Sequence, residues 1–343
     1  MNGNIKAYYP FEIKKLDKEE YAEVFKHFNG DTGTIEDFIR VGPKGYWFIS
    51  GFAEEAPKIY NMELRPDDVW VISYPKSGTT WMQELVWQVA NDFDYAKAEL
   101  IPLMQRFPFL EFALFFNGEK AQTVLGRNEK DKAFLDAMSK SFDQVSSMPS
   151  PRFIKSHLPL SLLPPALLDS CRVVHVARDP RDVAVSYYHH YHFFGYMGYT
   201  GNFKHFWNLF IENKLDWTPY FENVKESWRM RDHPNMLFLF YEDALRDLPS
   251  TVKRVAAFLG KAVTEEQVSR LCDHLAFDNF KKNKSVNFEA IKEISVVNKD
   301  GSFIRKGKAG DWRGYFDEEM MQQAQRWMEH NLRDTDLRFP TVE

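Results

Sequence analysis

Residues 71–90 constrain the fold of this chain more than any other stretch. They open with an apolar, β-branched pair that favours a buried strand, and from residue 82 onward apolar residues recur at helical spacing. Between these two parts, Pro75 and Gly78 interrupt regular structure. The pattern therefore predicts a strand, a tight loop and a helix in direct succession.

The predicted loop has the features of an anion-binding site. Its backbone N–H groups converge at a helix N-terminus, where the helix dipole favours negative charge. Gly78 has no Cβ and lets an anion approach the backbone, while Lys76 adds a positive charge. Hydroxyl donors come from Ser77, Thr79 and Thr80. We interpret this P-loop-like turn as a phosphate cradle; the alternative is an ordinary turn with a surface lysine.

The loop departs from the nucleoside-triphosphate pattern GxxxxGK[ST], because its lysine precedes the glycine and no glycine opens a four-residue spacer. A kinase-like phosphotransferase of the same fold would need that loop and an acidic metal ligand beside it. The sequence has neither, so this alternative is disfavoured.

Composition narrows the class of protein further. The 343-residue chain has a formal net charge of −5, so no global basic field attracts nucleic acid and an anion site has to be built locally. Cys171 and Cys272 fit two reduced thiols rather than a disulfide framework or a metal site. We see no apolar signal-peptide core, and no apolar run approaches the roughly 18 residues of a membrane span. We therefore expect a cytoplasmic protein that binds neither nucleic acid nor membrane.

Strand patterns alternate with helix patterns along most of the chain. Predicted strands begin near residues 71, 152, 171 and 236, and predicted helices cover 18–29, 54–60, 82–90, 180–188, 220–231, 251–259, 264–275 and 317–331. Residues 117–150 are polar and weakly periodic, and we interpret them as an excursion from the core. The alternation predicts one α/β domain over residues 1–343, with a central parallel sheet and helices on both faces.

Each of the predicted strands ends at a residue suited to binding or acting on an anion. Ligands of open parallel sheets bind beyond the carboxyl ends of the strands. Lys76, Lys155 with His157, Arg178 and Tyr241 lie at or just past such ends. We therefore expect these side chains to meet at one edge of the sheet.

The segments around these residues resemble the cytosolic sulfotransferase family, over about residues 65–312. The similar segments are Tyr-Pro-Lys-Ser-Gly-Thr-Thr-Trp at 74–81, Lys-Ser-His-Leu-Pro at 155–159, the run at 178–186, Leu-Phe-Tyr-Glu-Asp at 239–243 and the glycine-containing basic loop at 305–312. The stretches at 61–66 and 306–310 look like the insect branch of the family, which includes retinol dehydratase.

The resemblance implies transfer of a sulfuryl group from 3′-phosphoadenosine 5′-phosphosulfate (PAPS) to a hydroxyl of a small acceptor, leaving adenosine 3′,5′-bisphosphate (PAP). It implies that His157 is the general base, that Lys155 binds the sulfuryl oxygens and that Lys76 stabilises the bridging oxygen. Ser186 is the fourth residue placed at the catalytic centre. We expect no metal, since two lysines can supply the charge.

The resemblance also implies the cofactor contacts. The 5′-phosphate is expected at Lys76, Ser77, Gly78, Thr79 and Thr80. The 3′-phosphate is expected at Arg178 and Ser186, with Arg305, Lys306 and Gly307 closing over it. The adenine is expected at Trp81, Tyr241 and Phe277. Arg305 and Lys306 have the alternative of being an ordinary surface basic pair.

The acceptor site is implied at Phe52, Phe109, His157 and His190. An aromatic lining suits a flat or apolar hydroxyl compound, such as a phenol, a steroid or a retinoid. His190 occupies a position where family members often carry an aromatic residue, and two alternatives stay open: it binds a polar acceptor, or it is inert. The dimer segment that family members often carry after the Gly-Asp-Trp loop is absent, which leaves a monomer or a different dimer.

Two further functions remain as alternatives. One is a PAPS-dependent dehydratase that acts on a retinoid-like alcohol through a transient sulfate ester. The retained Tyr-Pro-Lys run and Trp81 favour ordinary transfer over it. The other is a nucleotide-binding module without catalysis, which the intact Lys76, Lys155 and His157 disfavour.

Overall fold

The computed structural model describes residues 8–29, 31 and 33–342. Within them the strands are β1 (Ile13–Lys15), β2 (Phe38–Val41), β3 (Tyr46–Ile49), β4 (Val69–Ile72), β5 (Phe153–Ser156), β6 (Arg172–Ala177) and β7 (Met236–Phe240). The helices are α1 (Lys18–Phe25), α2 (Phe52–Tyr60), α3 (Thr79–Ala90), α4 (Tyr95–Leu100), α5 (Leu103–Arg106), α6 (Glu119–Leu125), α7 (Glu129–Met138), α8 (Ser141–Ser147), α9 (Leu167–Ser170), α10 (Pro180–Phe193), α11 (Phe203–Ile211), α12 (Tyr220–Arg229), α13 (Tyr241–Arg246), α14 (Leu248–Phe258), α15 (Glu265–Leu275), α16 (Phe277–Lys282) and α17 (Glu318–Leu332).

The central sheet has the order β5-β4-β6-β7, and all of its neighbouring strands are parallel. Helices cover both faces of this sheet, so its strands carry apolar residues on both faces. Strand β4 is an example, because all four of its residues are buried. Trp70 and Ile72 point into the core that contains α10 and α12, whereas Val69 and Val71 point into the core that contains α3, α14 and α15. The prediction of an α/β fold with a central parallel sheet is confirmed.

A second, antiparallel sheet of order β1-β2-β3 was not predicted from the sequence. An aromatic run forms β3, where Tyr46 and Trp47 are buried. Trp47 also exchanges backbone hydrogen bonds with the 217–218 segment: its N–H donates to Thr218 and its carbonyl accepts from Trp217. This sheet therefore supports the segment that carries Trp217.

Residues 119–147 form α6, α7 and α8 rather than an irregular excursion. The buried Asp131 on α7 fixes them to the 284–303 segment, because its carboxylate accepts from Ser295 N at 2.9 Å. Phe134 from α7 and Ile291 from the other segment both line the main cavity. The helices thus form part of the cavity wall.

Short loops connect β4 to α3 and β6 to α10. Gly78, with φ of +96°, precedes α3, and the carboxylate of Asp179 caps α10 by accepting from Arg181 N. Pro180 opens α10 at the position where its fixed φ suits a helix. Both N-termini consequently face the carboxyl edge of the sheet. Among the described residues, no helix combines the length and apolarity needed to cross a membrane.

Candidate active site

A cavity of about 440 Å³ lies at the carboxyl edge of the central sheet. Its walls contain most of the residues predicted from the sequence: Lys76, Gly78, Thr79, Thr80, Trp81, Phe109, Lys155, His157, Arg178, Ser186, His190, Tyr241, Phe277, Arg305, Lys306 and Gly307. The side chains that follow the four strands therefore line one cavity, as expected from the sequence.

Two predicted residues are not on the cavity wall. Phe52 is fully buried at the start of α2, and its ring stacks on Phe48 with 4.2 Å between centroids. It belongs to the core beneath the second sheet, so the prediction that it lines the acceptor site is not matched by its position. Ser77 is also fully buried, and its Oγ has no hydrogen-bond partner among the described residues. Ser77 therefore holds an unused donor directly behind the loop.

The loop between β4 and α3 has a backbone that only particular residues adopt. Lys76 has φ of +69° and Gly78 has φ of +96°. A Cβ at position 78 would lie 2.4 Å from Cδ2 of Tyr241, so a side chain there would displace the tyrosine ring. Behind the loop, the hydroxyls of Ser73 and Thr79 are 2.7 Å apart. Glycine is therefore required where the loop and Tyr241 meet.

Arg178 connects this loop to the basic loop near the C-terminus. Its Nη1 donates to the carbonyl of Lys76 at 3.2 Å and its Nη2 donates to the carbonyl of Lys308 at 3.0 Å. The guanidinium lies over the ring of Tyr241, with 4.5 Å from Cζ to the centroid. Nε is buried without a partner among the described residues. Arg178 thus retains donor capacity for an anion between the two loops.

Two aspartates that sequence reasoning missed hold the basic loop in place. Asp182 on α10 accepts from Gly310 N at 2.6 Å and from Trp312 N at 3.0 Å. Asp311 accepts from Arg305 Nη2 and from Lys306 Nζ, each at 2.7 Å. An acidic residue in the first turn of a predicted helix was the only available signal for Asp182, and it is too common to be specific.

His157 is buried at the end of β5 in a defined tautomer. Its Nδ1 lies 2.8 Å from the carbonyl oxygen of Ser73, which can only accept, so Nδ1 carries the proton. The edges of Phe109 and Trp217 pack against the imidazole at 5.0 and 5.5 Å between centroids. Burial and the nearby Lys155 ammonium hold the pKa of His157 well below its usual value. The ring is therefore neutral, with Nε2 free to accept a proton.

Lys155 lies beside His157 and is joined to the segment that carries Phe109. Lys155 N donates to Pro108 and its carbonyl accepts from Leu110 N, both at 2.9 Å. Its Nζ lies 4.1 Å above the centroid of the Phe109 ring. Burial lowers the pKa of Lys155 to about 8, and the nearby Glu111 carboxylate opposes this shift.

Glu111, which sequence reasoning did not single out, supports both of these residues. It is fully buried, and its Oε1 accepts from His157 N at 2.6 Å. Burial raises the pKa of this carboxyl group to about 7. The carboxylate fixes the backbone at the end of β5 and places negative charge near Lys155.

Lys76 contacts two residues on the other side of the cavity. Its Nζ lies 3.3 Å from Nδ1 of His190 and 4.4 Å from the centroid of Phe303. Burial, followed by the charges of Lys155, Arg178 and Arg305, lowers the pKa of Lys76 to about 7. Among the described residues Lys76 itself forms no ion pair, and the cations around it favour the binding of an anion.

One end of the cavity suits a purine base. Trp81 donates through Nε1 to the carbonyl of Leu275 at 3.0 Å, which leaves the face of its ring for stacking. Tyr241 packs edge-on against Trp81 at 5.8 Å. Phe277 lies so close to Gly307 that a Cβ there would be 2.2 Å from the phenylalanine ring. These aromatic residues delimit a flat compartment beside the basic loop.

The opposite end is lined by aromatic residues. Beyond Phe109, the ring-bearing residues that the sequence analysis did not identify are Phe112, Phe115, Phe134, Tyr187, Phe194, Tyr196, Trp217, Phe288 and Phe303. They come from segments far apart in the sequence, so no local pattern revealed them. Of the predicted residues, His157 packs against Phe109 and Trp217 in this lining, and His190 packs against Phe194 and Phe303.

These features define a nucleotide-dependent group-transfer enzyme of the α/β class. Ser77 and Arg178 have hydrogen-bond donors without partners among the described residues, and an added Cβ at Gly78 or Gly307 would clash with an aromatic ring. These features fit a nucleotide with two separate phosphate groups. The described residues include no cluster of His, Cys, Asp and Glu arranged to hold a metal ion.

Comparison with known proteins gives the family. The sulfotransferase domain matches residues 66–336. Luciferin sulfotransferase from Photinus pyralis is 31% identical over 328 residues, which cover 94% of this chain and 86% of that protein. Sulfotransferase 1E1 from Bos taurus is 29% identical over 291 residues, covering 84% of this chain and 92% of that protein. The chain therefore belongs to the sulfotransferase family.

Solved structures agree with this assignment. Retinol dehydratase in complex with androsterone and the inactive cofactor PAP superimposes with a TM-score of 0.92 at 44% identity, covering 97% of this chain and 99% of that chain. Retinol dehydratase with retinol and PAP gives a TM-score of 0.90, again at 44% identity. The protein is a sulfotransferase enzyme that uses PAPS as its sulfuryl donor.

Proposed function

We propose that this sulfotransferase transfers the sulfuryl group to a hydroxyl of a small apolar or aromatic acceptor, with His157 as the general base. The observation that carries the proposal is the hydrogen bond from Nδ1 of His157 to the carbonyl of Ser73. It leaves Nε2 unprotonated at the cavity, and a neutral imidazole is suited to accept the proton of a hydroxyl.

PAPS, when bound, supplies an activated sulfuryl group whose leaving group is the 5′-phosphate. Nε2 of His157 takes the acceptor proton while the acceptor oxygen bonds to sulfur and the bond between sulfur and the 5′-phosphate oxygen breaks. Lys155 stabilises the negative charge on the sulfuryl oxygens, and Lys76 stabilises the charge that develops on the departing oxygen. Both lysines lie on the cavity wall, and a bound anion offsets the burial that lowers their pKa values and so favours their charged forms.

The cofactor contacts follow from the same arrangement. We assign the 5′-phosphate to the loop of Lys76, Ser77, Gly78, Thr79 and Thr80. The 3′-phosphate is assigned to Arg178, Ser186, Arg305, Lys306 and Gly307, and the adenine to Trp81, Tyr241 and Phe277. The free Nε of Arg178 and the anchored basic loop support the second assignment.

The acceptor is assigned to the aromatic end of the cavity, at Phe109, His157 and His190. Phenylalanine, tyrosine and tryptophan rings favour the binding of a flat or extended apolar molecule, because such a molecule buries apolar surface against them. Phenols, steroids and retinoid-type alcohols have this character and carry one reactive hydroxyl. We therefore propose these three classes as acceptors.

A second candidate reaction is dehydration through a sulfate ester, favoured by the 44% identity to retinol dehydratase. In this route, the ester C–O bond breaks, sulfate leaves with its electron pair, and a base removes a proton from carbon to complete a new double bond. The alcohol has then lost the elements of water, and sulfate is released. Aromatic rings around the carbon skeleton favour developing positive charge in such a step.

A transfer assay with labelled PAPS tests both reactions. The enzyme is incubated with 2-naphthol, androsterone or retinol, and the products are analysed by mass spectrometry. Gain of a sulfo group shows transfer, whereas loss of water with release of labelled sulfate shows dehydration. Absence of both reactions across the three classes contradicts the proposed acceptors.

The role of His157 is tested separately by His157→Ala. This variant is expected to keep PAP binding, measured by calorimetry, because the residue contacts the acceptor side. Its turnover is expected to fall by about 100-fold or more, as for loss of a general base. A variant with unchanged turnover excludes His157 as the base.

A further inference from the structure

The two histidines of the cavity present opposite hydrogen-bonding capacities. Lys76 Nζ lies 3.3 Å from Nδ1 of His190, and an ammonium group only donates hydrogen bonds. Bound anionic phosphate favours the charged form of Lys76, so Nδ1 of His190 accepts and its ring proton is on Nε2. His157 has the reverse arrangement, because its Nδ1–H donates to Ser73. One imidazole can accept a proton, and the other offers an N–H.

The free N–H of His190 lies in apolar surroundings. Phe194 packs edge-on at 4.6 Å and Phe303 at 6.0 Å between ring centroids. Nε2 has no hydrogen-bond partner among the described residues, and His190 lines the cavity. The donor is half-buried and faces the cavity beside these rings, so a ligand that displaces water from it is favoured when it supplies an oxygen in return.

The position of His190 identifies the ligand that supplies this oxygen. The surrounding Phe194 and Phe303 belong to the aromatic end of the cavity, which is the end that we assign to the acceptor. One hydrogen bond separates His190 from Lys76, the residue assigned to the oxygen between sulfur and the 5′-phosphate. The acceptor oxygen that meets His190 therefore lies close to the reacting hydroxyl.

We infer that Nε2–H of His190 donates a hydrogen bond to a second oxygen of the acceptor, next to the hydroxyl that receives the sulfuryl group. The inference rests on the proposed transfer function and identifies one preferred class among its acceptors. These are alcohols and phenols with a hydroxyl, ether or keto oxygen on the neighbouring carbon. His190 is then a specificity-determining residue, and its contact with Lys76 fixes the tautomer.

Two acceptors that differ by one oxygen-bearing group test the inference: 2-naphthol and 3-methoxy-2-naphthol. Binding of each to the enzyme saturated with PAP is measured by calorimetry, and kcat/KM for each is measured with PAPS. The wild-type protein is expected to favour the methoxy compound by about tenfold in both measurements, as for one neutral hydrogen bond.

Two substitutions at position 190 separate the donor from the bulk of the ring. His190→Phe removes the donor and keeps an aromatic ring, so the preference for the methoxy compound is expected to disappear. His190→Gln keeps one acceptor and one donor, so part of the preference is expected to return. His192→Gln is the matched control, because His192 lies on the same helix with its Nε2 3.2 Å from the carbonyl of Gly201. The control is expected to keep the full preference.

The outcomes distinguish this inference from the proposed function. Transfer to both naphthols without any preference in the wild-type protein overturns the role of His190 and leaves the transfer function intact. A His190→Phe variant that reduces the binding and kcat/KM of both naphthols equally shows that His190 acts on Lys76 or the sulfuryl group instead. That outcome also overturns the inference. Failure of PAP to bind, or of transfer to every acceptor, contradicts the proposed function itself.

Discussion

The carboxylate of Asp182 accepts a hydrogen bond from the backbone of Gly310, with 2.6 Å between Oδ2 and the glycine nitrogen. Its other oxygen accepts from Trp312 N. Asp182 lies four residues after Arg178 on the chain, in the first turn of α10, so the basic loop is fixed to the same helix start that positions Arg178. The groups assigned to the 3′-phosphate therefore depend on an acidic residue that does not face the ligand.

Replacing Asp182 by Ala is expected to weaken PAP binding by about tenfold, because charge-assisted hydrogen bonds that order the loop are lost. Adenosine 5′-phosphate lacks the 3′-phosphate, and its affinity is expected to change by less than about twofold. Calorimetric titration with both nucleotides measures the difference. Asp317→Ala is the control, since Asp317 also accepts from a backbone N–H but caps α17 rather than holding the basic loop. Equal weakening of both nucleotides contradicts a specific role for Asp182.

Gly307→Ala is expected to reduce PAP affinity strongly, because the new Cβ would lie 2.2 Å from Phe277 and displace either the ring or the loop. Gly260 offers a matched comparison, since it has φ of +71° and a Cβ added there would meet no atom within 4 Å. Gly260→Ala introduces comparable backbone strain, about 1 kcal/mol, and is expected to leave PAP binding unchanged. Calorimetry with PAP compares the two variants. If both lose affinity alike, backbone strain rather than contact with Phe277 is responsible.

PAP binding is expected to weaken as the pH rises from about 7.5 to about 9. Burial lowers the pKa of Lys76 to about 7 and that of Lys155 to about 8 in the free protein. Both groups lose their positive charge as the pH rises through these values, so binding the anion requires uptake of protons. Titration in two buffers of different ionisation enthalpy measures that uptake. Lys76→Met is expected to bind PAP less tightly and with a flatter pH dependence; an unchanged slope assigns the protons to another group.

Arg152→Met is expected to lower the free energy of unfolding by about 3–5 kcal/mol, because it leaves Asp68 as a buried, unpaired carboxylate. Arg152 Nε donates to Asp68 Oδ1 at 2.8 Å, and both side chains are almost fully buried. The double variant Arg152→Met/Asp68→Leu is expected to recover part of the loss, since no isolated charge remains. Urea denaturation measures the wild-type protein and both variants. A double variant less stable than the single one contradicts this account.

The fold of the central sheet was predictable because its strands are short apolar runs followed by Pro, Gly or charged residues. Ligand-binding side chains at the ends of parallel strands meet by geometry, so Lys76, Lys155, Arg178 and Tyr241 were found without knowledge of tertiary contacts. The antiparallel sheet was missed because its first strand, β1, has only three residues and is mostly exposed, so it has no apolar pattern.

The acceptor end was less predictable, because it depends on which aromatic residues face inward. Phe52 and Phe109 were both expected at the acceptor site, yet only Phe109 reaches the cavity. Trp217 lies between two helices, with φ of +64°, and no local pattern indicates that its ring packs on His157. The side chains of 30 phenylalanines are interchangeable in sequence patterns, so their roles were visible only from tertiary contacts.

The backbone pairing between Phe109 and Lys155 has a mechanical consequence. The bridge extends the edge of the central sheet by one residue, and the Phe109 ring packs against the Lys155 ammonium. An acceptor that displaces the Phe109 ring when it binds must also shift the Lys155 ammonium beside that ring. Displacement of the Phe109 ring would therefore remove a contact from the Lys155 ammonium, so the two positions are mechanically linked.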